Sequence, residues 1–138
     1  MQNNIFDLTG KTALITGAGG LLGPKHAEAI LDFGGTVILT DHHLDRVENK
    51  ARVLNEKYGE GSAVAYHMDV ADPLSVKAVV DVCERIDILI NNAAKDPKVK
   101  KEAGLTPDSR FETMTSDYWN EGVNAAMNGT FYCSQAVS

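Results

Sequence analysis

Cysteine is scarce in this 138-residue chain, where Cys83 and Cys133 are the only two. They lie in apolar helical patterns far apart in the sequence, and neither belongs to a CxxC pair. Both are therefore interpreted as buried thiols of a reducing compartment. We therefore expect a cytoplasmic protein. Its core should need no disulfide and no metal, because a chain of this length buries roughly two-thirds of its unfolded surface.

The chain also lacks an excess of basic residues and any long apolar run. Thirteen Lys and Arg face nineteen Asp and Glu, so the net charge is −6 and disfavours nucleic acid as a partner. The strongly apolar runs reach only about five or six residues, whereas a membrane helix needs about 20. The first four residues have no basic region followed by an apolar one, so we expect neither a leader peptide nor a membrane anchor.

What is present is a regular alternation of short apolar runs and helical periodicity, which indicates βαβ units around a parallel sheet. The predicted strands are residues 12–16, 36–40, 63–67 and 86–90. The predicted helices run from Pro24 to Gly34, over 44–58, from Asp72 to Cys83, and from Thr115 or Ser116 towards Ser138. The expected fold is α/β: a Rossmann-like doubly wound parallel sheet in three αβα layers, incomplete because a sheet ending at residues 86–90 exposes an apolar edge.

Two connections depart from the usual lengths. The helix carrying Cys83 runs into the fourth strand through Glu84-Arg85 without a turn residue, so this crossover is several residues short. Either the turn is very tight or residues are missing near 84–86. A polar stretch at residues 95–115 is too long for an ordinary connection. It is either a functional loop at the carboxyl end of the sheet or a solvated surface loop.

The chemistry lies in the turn after the first strand. Four glycines, Gly17, Gly19, Gly20 and Gly23, let backbone N–H groups approach a pyrophosphate, and the helix that begins at Pro24 adds the positive end of its dipole. Asp41 ends the next strand, where a carboxylate accepts hydrogen bonds from an adenosine ribose and repels a 2′-phosphate. The pattern predicts a dinucleotide site that prefers NAD to NADP; the alternative is a glycine turn that only packs helix on strand.

Three motifs in order resemble the N-terminal half of the short-chain dehydrogenase/reductase family. They are Thr16-Gly17 with the glycines through Gly23, Asp69-Val70 after the third strand, and Asn91-Asn92-Ala93-Ala94 after the fourth. The resemblance implies one NAD(P)-binding Rossmann domain at residues 1–138. It also implies the cofactor contacts: Gly17, Gly19, Gly20 and Gly23 around the pyrophosphate, Leu22 near the nicotinamide, Asp69 and Val70 at the adenine, and Asn92, Ala93 and Ala94 along the ribose. Asn91 would brace the central sheet.

The chain departs from the family pattern at several positions. Leu21 stands where the usual middle glycine falls, although Gly17, Gly20 and Gly23 meet the alternative Gly-x-x-Gly-x-x-Gly spacing. Ala94 replaces the last glycine of the Asn-Asn-Ala-Gly motif, and Ala126 stands at the usual catalytic asparagine. No tyrosine is followed four residues later by lysine, so the Tyr-x-x-x-Lys pair and its serine are absent and the catalytic residues are unknown.

We therefore expect the cofactor-binding half of an NAD-dependent oxidoreductase acting on an alcohol or ketone, inactive by itself and, in the intact protein, a dimer or tetramer. Two alternatives remain: a non-catalytic NAD-binding module, and a sugar-nucleotide epimerase or dehydratase type, which the Gly17, Gly20 and Gly23 spacing favours. No metal site is expected, because His42 and His43 are neighbours on a loop and rarely chelate one ion without further ligands.

Overall fold

A computed structural model describes residues 5–95, 99–100, 104–105 and 110–138. Four strands form one sheet, all of them parallel, in the spatial order β3-β2-β1-β4. Their bounds are β1 Thr12–Ile15, β2 Thr36–Asp41, β3 Ala63–His67 and β4 Ile88–Ile90. This strand order and the parallel pairing confirm the Rossmann-like α/β prediction.

Helices cover both faces of the sheet, which gives the three expected layers. The helices are α1 Gly23–Asp32, α2 Leu44–Tyr58, α3 Pro73–Val82, α4 Ser116–Val123 and α5 Gly129–Val137. One apolar core joins alternate residues of β1 and β2, such as Ile15 and Leu39, to α1 and α2. The other joins Leu14 and Ile38 to α3 and to Cys133 of α5. The alternation follows from strand geometry, since successive side chains point to opposite faces.

The crossover from α3 to β4 differs from its prediction. The helix ends at Val82, and Cys83 is already extended with φ −84° and ψ 123°. The strand begins at Ile88 rather than Ile86, where the register pairing with β1 starts. The N–H of Asp87 donates to the Thr12 carbonyl at 2.9 Å just before it. The connection thus occupies residues 83–87, so the turn is not as tight as the predicted boundaries implied.

The polar stretch contains a short antiparallel pair, β5 Val99–Lys100 with β6 Gly104–Leu105, and a 3₁₀ turn at Phe111–Thr113. The rest of this prediction, at residues 96–98, 101–103 and 106–109, lies outside the described residues. Thr115 caps α4, as its Oγ1 accepts the Tyr118 N–H at 3.2 Å. Among the described residues, no helix is both long and apolar enough to cross a bilayer.

The last helix runs to Val137, as the sequence predicted, but it is not α-helical throughout. An unpredicted π-helical segment, Asn124–Asn128, joins α4 to α5. Two side-chain hydrogen bonds involve this segment: Asn128 Nδ2 donates to Asn124 Oδ1 at 2.7 Å, and Thr130 Oγ1 of α5 donates to the Ala126 carbonyl at 2.6 Å. Directly after it, Gly129 packs on Val70, and a Cβ there would lie 2.8 Å from Val70 Cγ2. The start of α5 thus contacts the β3–α3 connection at a glycine.

Candidate dinucleotide-binding site

The glycine-rich turn is closed by its own backbone and by contacts from two neighbouring strands. Gly17 has φ +60°, a left-handed conformation that glycine adopts without cost, and its carbonyl accepts the Gly20 N–H at 3.2 Å. The Ala18 N–H donates to the Thr40 carbonyl at 2.9 Å. A Cβ on Gly17 would lie 2.7 Å from Ala93 Cα, so the segment after β4 packs directly on the turn.

The turn leads into α1 through two exposed leucines. Gly23, the first residue of α1, lies so close to the turn that a Cβ would come within 2.5 Å of Ala18 Cα. Leu21 and Leu22 are 89% and 57% exposed. Their backbone N–H groups have no hydrogen-bond partner within the described part of the chain. These free donors at a helix N-terminus suit an anion such as a pyrophosphate.

Asp41 ends β2 as a buried carboxylate beside this turn. It is only 6% exposed, its Oδ2 accepts the Gly19 N–H at 3.0 Å, and its Oδ1 accepts the His43 N–H at 2.9 Å. A Cβ on Gly19 would lie 2.8 Å from Oδ2 and 2.9 Å from Arg46 Cβ. Glycine is therefore required for the close approach of the turn to the carboxylate and to α2.

Thr16 ties the segment after β4 to the same turn. Its buried hydroxyl accepts the N–H groups of both Asn92 and Ala93 at 3.0 Å. The Asn92 side chain donates to the carbonyls of Thr16 at 3.0 Å and Gly17 at 3.1 Å. Asn92 and Ala93 are thus held beside the glycine turn, and Ala94 follows them exposed to solvent.

Asp69 and Val70 make their contacts elsewhere. The Asp69 carboxylate accepts the Ala71 N–H at 2.9 Å, and its own N–H donates to Ser75 Oγ at 3.0 Å. Val70 is buried in the core beneath α3 and α5. Hydrogen bonds join Asn92 to Gly17 and Asp41 to Gly19, and Ala93 packs on Gly17. Among the described residues, no hydrogen bond joins Asp69 or Val70 to the turn.

Asn91 and Ala126 occupy positions that the family resemblance singled out. Asn91 Nδ2 donates to Ser134 Oγ of α5 at 3.3 Å, so this side chain links the end of β4 to the helical layer. Ala126 is exposed and lies in the π-helical segment, where its carbonyl is taken by the Thr130 hydroxyl. The alanine side chain offers no hydrogen bond at this position.

Sequence reasoning missed two contacts made by flanking residues. Lys95 forms an ion pair with Glu121, and its Nζ lies 4.4 Å from the centre of the Tyr118 ring. His42 Nδ1 lies 3.2 Å from Asp41 Oδ1. The contacts of Lys95 join residues distant in sequence, so no local pattern could have predicted them. The contact between His42 and Asp41 could have been predicted, because the two residues are adjacent in the sequence.

The titratable groups whose pKa values are displaced lie away from the turn. Arg85 and the Thr12 N–H hold the pKa of the Asp87 carboxyl well below its usual range, at the edge where β1 and β4 begin. Burial raises the pKa of the Cys83 thiol and raises that of Cys133 to about 11. Within the described ranges, no cluster of three or more His, Cys, Asp or Glu residues is arranged to hold a metal ion.

Two cavities also lie away from the glycine turn. One of about 650 Å³ is lined by residues of α2 and β3, among them Glu48, Arg52 and Ala65. The other, about 300 Å³, lies between α3 and α5 and is lined in part by Leu74 and Tyr132. At the turn itself, Leu21 and Leu22 are exposed, and the site lies at the carboxyl ends of the parallel strands.

Comparisons with known proteins place this geometry in a family. The chain is 32% identical over 138 residues to the sorbose reductase of Candida albicans, an alignment covering 97% of this chain and 46% of that protein. A short-chain type dehydrogenase/reductase from Mycobacterium marinum has a TM-score of 0.80 and 28% identity, with 97% and 51% of the two chains covered. The L-sorbose reductase from Gluconobacter frateurii, solved with NADPH and L-sorbose, has a TM-score of 0.78 and 25% identity, with 96% and 48% covered.

The chain therefore spans about half the length of these relatives. The sequence model described as short chain dehydrogenase matches residues 11–138, nearly all of the chain. With the β3-β2-β1-β4 order and the glycine turn between β1 and α1, this match shows that the chain belongs to the short chain dehydrogenase family.

Proposed function

We propose that these residues form the cofactor-binding half of an NAD-dependent oxidoreductase. The observation that carries the proposal is the Asp41 carboxylate, buried at the end of β2 and bonded to the Gly19 N–H of the turn. A buried carboxylate is costly unless it is hydrogen-bonded, and here backbone donors supply those bonds. A carboxylate so placed suits the two hydroxyls of an adenosine ribose.

The residues fit a dinucleotide along the edge of the sheet. The free N–H groups of Leu21 and Leu22 would hold the pyrophosphate, together with the N-terminus of α1. Gly17, Gly19, Gly20 and Gly23 would leave room for it, and Leu22 would lie towards the nicotinamide. The ribose would be lined by Asn92, Ala93 and Ala94. The adenine would be lined by Asp69 and Val70. NAD itself would supply or accept the hydride.

The proposed preference is for NAD over NADP. Asp41 would repel a 2′-phosphate, and we expect NAD to bind at least tenfold more tightly, a difference of about 1.4 kcal/mol. The Gluconobacter relative was solved with NADPH, so the family alone does not decide the cofactor. Calorimetric titration of the chain and of Asp41→Asn with each cofactor tests this proposal. Asp41→Asn should lose most of the preference, and equal affinities in the unaltered chain would contradict it.

The proposed substrate is a small alcohol or ketone. Support comes from the two sorbose reductases among the relatives, which transform a sugar ketone. The 138 residues contain no Tyr-x-x-x-Lys and carry Ala126 at the usual asparagine, so we expect no turnover from this chain alone. An NADH absorbance assay over a panel of alcohols tests this. Measurable turnover would show that the catalytic acid lies among residues considered structural here.

A second candidate is a non-catalytic NAD-binding module, which the lack of Tyr-x-x-x-Lys and the alanine at position 126 favour. Turnover by the protein from the intact gene would exclude it.

The free thiols of Cys83 and Cys133 support a reducing compartment, which we propose is the cytoplasm. The proposed assembly is a homo-oligomer, a dimer or tetramer, and the net charge of −6 argues against a nucleic-acid partner.

A further inference from the structure

Histidine is concentrated around the one carboxylate that is buried at the proposed cofactor site. His42 Nδ1 lies 3.2 Å from Asp41 Oδ1. The His43 ring lies 3.9 Å from that of His42, between centres, and its backbone N–H donates to the same Oδ1. His67 pairs in register with Asp41 across β2 and β3. A change in the charge of these imidazoles therefore acts close to Asp41.

His42 differs from its neighbours because its side chain contacts the carboxylate directly. It is 65% exposed, while the Asp41 side chain is 6% exposed, so an accessible proton acceptor faces a buried charge. Charged or titratable groups nearby on the neighbouring elements include Asp45 and Arg46 in the first turn of α2, His67 of β3 and Asp69 just after it. Arg46 lies beside Gly19 and is always charged, so it sets a constant background.

We propose that His42 is a proton-dependent determinant of cofactor choice, such that its protonation weakens the preference for NAD over NADP. This inference rests on the proposed NAD site. A neutral His42 leaves the Asp41 charge to repel a 2′-phosphate. A protonated His42 pairs with Oδ1, offsets that charge, and places a cation beside the position of the 2′-phosphate.

The direction follows from charge. Histidine side chains change charge between about pH 5 and pH 8. Binding of the more anionic NADP favours the protonated imidazole, so its affinity relative to NAD rises as the pH falls. The 2′-phosphate itself also gains a proton near about pH 6, which changes the ratio in any variant. The contribution of His42 is therefore the difference in the pH dependence of the NAD preference between proteins with and without this histidine.

The experiment measures dissociation constants of NAD and NADP by calorimetry at about pH 8 and about pH 5.5, for the 138-residue chain, His42→Gln and His67→Gln. His67→Gln is the matched control, since this histidine neighbours Asp41 in register but makes no recorded side-chain contact with it. Circular dichroism at both pH values checks that each protein is folded. The NAD preference should fall on acidification about threefold more in the chain and in His67→Gln than in His42→Gln.

An equal pH dependence in all three proteins would overturn the inference while leaving the NAD site intact. Loss of the extra dependence in His67→Gln instead of His42→Gln would also overturn it, because the effect would then come from β3. Failure of the folded chain to bind either cofactor at any pH would overturn the proposed function, and this inference with it.

Discussion

Gly17 and Gly19 show how single residues position the candidate site. Both were predicted from the sequence as pyrophosphate contacts, where a side chain would block the cofactor. The structure gives each a further reason to be glycine: Gly17 packs on Ala93 with φ +60°, and Gly19 packs on Asp41. These contacts join residues remote in sequence, so the glycine pattern could indicate the site but not the packing that builds it.

Substitution at Gly17 should therefore destabilise the fold as well as weaken NAD binding. Gly17→Ala places a Cβ 2.7 Å from Ala93 Cα in a left-handed conformation, and we expect a loss of roughly 1–3 kcal/mol in the free energy of unfolding. Gly20→Ala is the matched control, since its Cβ would meet only the Gly17 carbonyl at 3.4 Å, and should change stability by about 0.5 kcal/mol or less. Urea unfolding followed by circular dichroism measures both. Equal losses would show that the contact with Ala93 has no energetic weight.

The two thiols should differ in reactivity. Cys133 is 1% exposed and burial raises its pKa to about 11, so the reactive thiolate is scarce at pH 8. Cys83 is half-buried, and burial raises its pKa as well. Alkylation with iodoacetamide, followed by mass spectrometry, should label Cys83 first and Cys133 only after unfolding in guanidinium. Early labelling of Cys133 in the folded chain would contradict the packing of α5 on the sheet.

Element boundaries followed the local sequence signals where such signals exist. The periodicity of Val47, Ala51 and Leu54 predicted α2 at 44–58, and Leu44–Tyr58 is the helix observed. The end of α3 and the start of β4 were misplaced because no glycine or proline marks them. The π-helical segment at Asn124–Asn128 was missed, since an apolar pattern alone does not distinguish a π-helical turn from an α-helical one.

The start of β4 supplies a test of pH-dependent stability. Arg85 donates to the Asp87 carboxylate at 2.7 Å and the Thr12 N–H donates to it at 2.9 Å, and these contacts hold the pKa of Asp87 well below its usual range. A carboxyl whose pKa is lowered on folding stabilises the fold above its unfolded pKa, about 4, and this contribution is lost as the pH falls towards its folded value. Asp87→Asn should therefore lower Tm at pH 7.

The difference in Tm between the chain and Asp87→Asn should shrink steadily below about pH 4, since protonation of Asp87 then removes the same charge. Asp81→Asn is the control, because its ion pair with Lys77 is exposed on α3 and should matter little at either pH. Thermal melts across this range supply the comparison. A difference that is independent of pH would mean that Asp87 acts only through its shape.

At the scale of the whole molecule, the order of strands and layers was predictable because alternating apolar runs specify a parallel sheet and right-handed crossovers leave few topologies. What the sequence could not supply is what covers β4 and the last helix. β4 has a single neighbour in the sheet, β1, within the described residues. Several large apolar side chains are exposed, including Trp119, Met127 and Phe131 around the π-helical segment.

We expect the chain to associate through this surface. Light scattering should report a mass above that of a monomer, because exposed apolar side chains and an unpaired strand edge both favour contact between copies. Replacing Met127 and Phe131 together by glutamine should shift the population towards monomer. Val53→Gln on α2, where the exposed side chain lies in the other helical layer, should not. A monodisperse monomer in the unaltered chain would contradict the expectation.

All of the functional proposals depend on NAD binding across the turn between β1 and α1, which an NMR titration of the ¹⁵N-labelled chain with NAD would detect residue by residue. NAD bound there should concentrate the amide shifts at residues 17–23, at Asp41, at residues 69–70 and at residues 92–94. Shifts concentrated instead at Glu48, Arg52 and Ala65, around the cavity of about 650 Å³ between α2 and β3, would place the ligand elsewhere and contradict it.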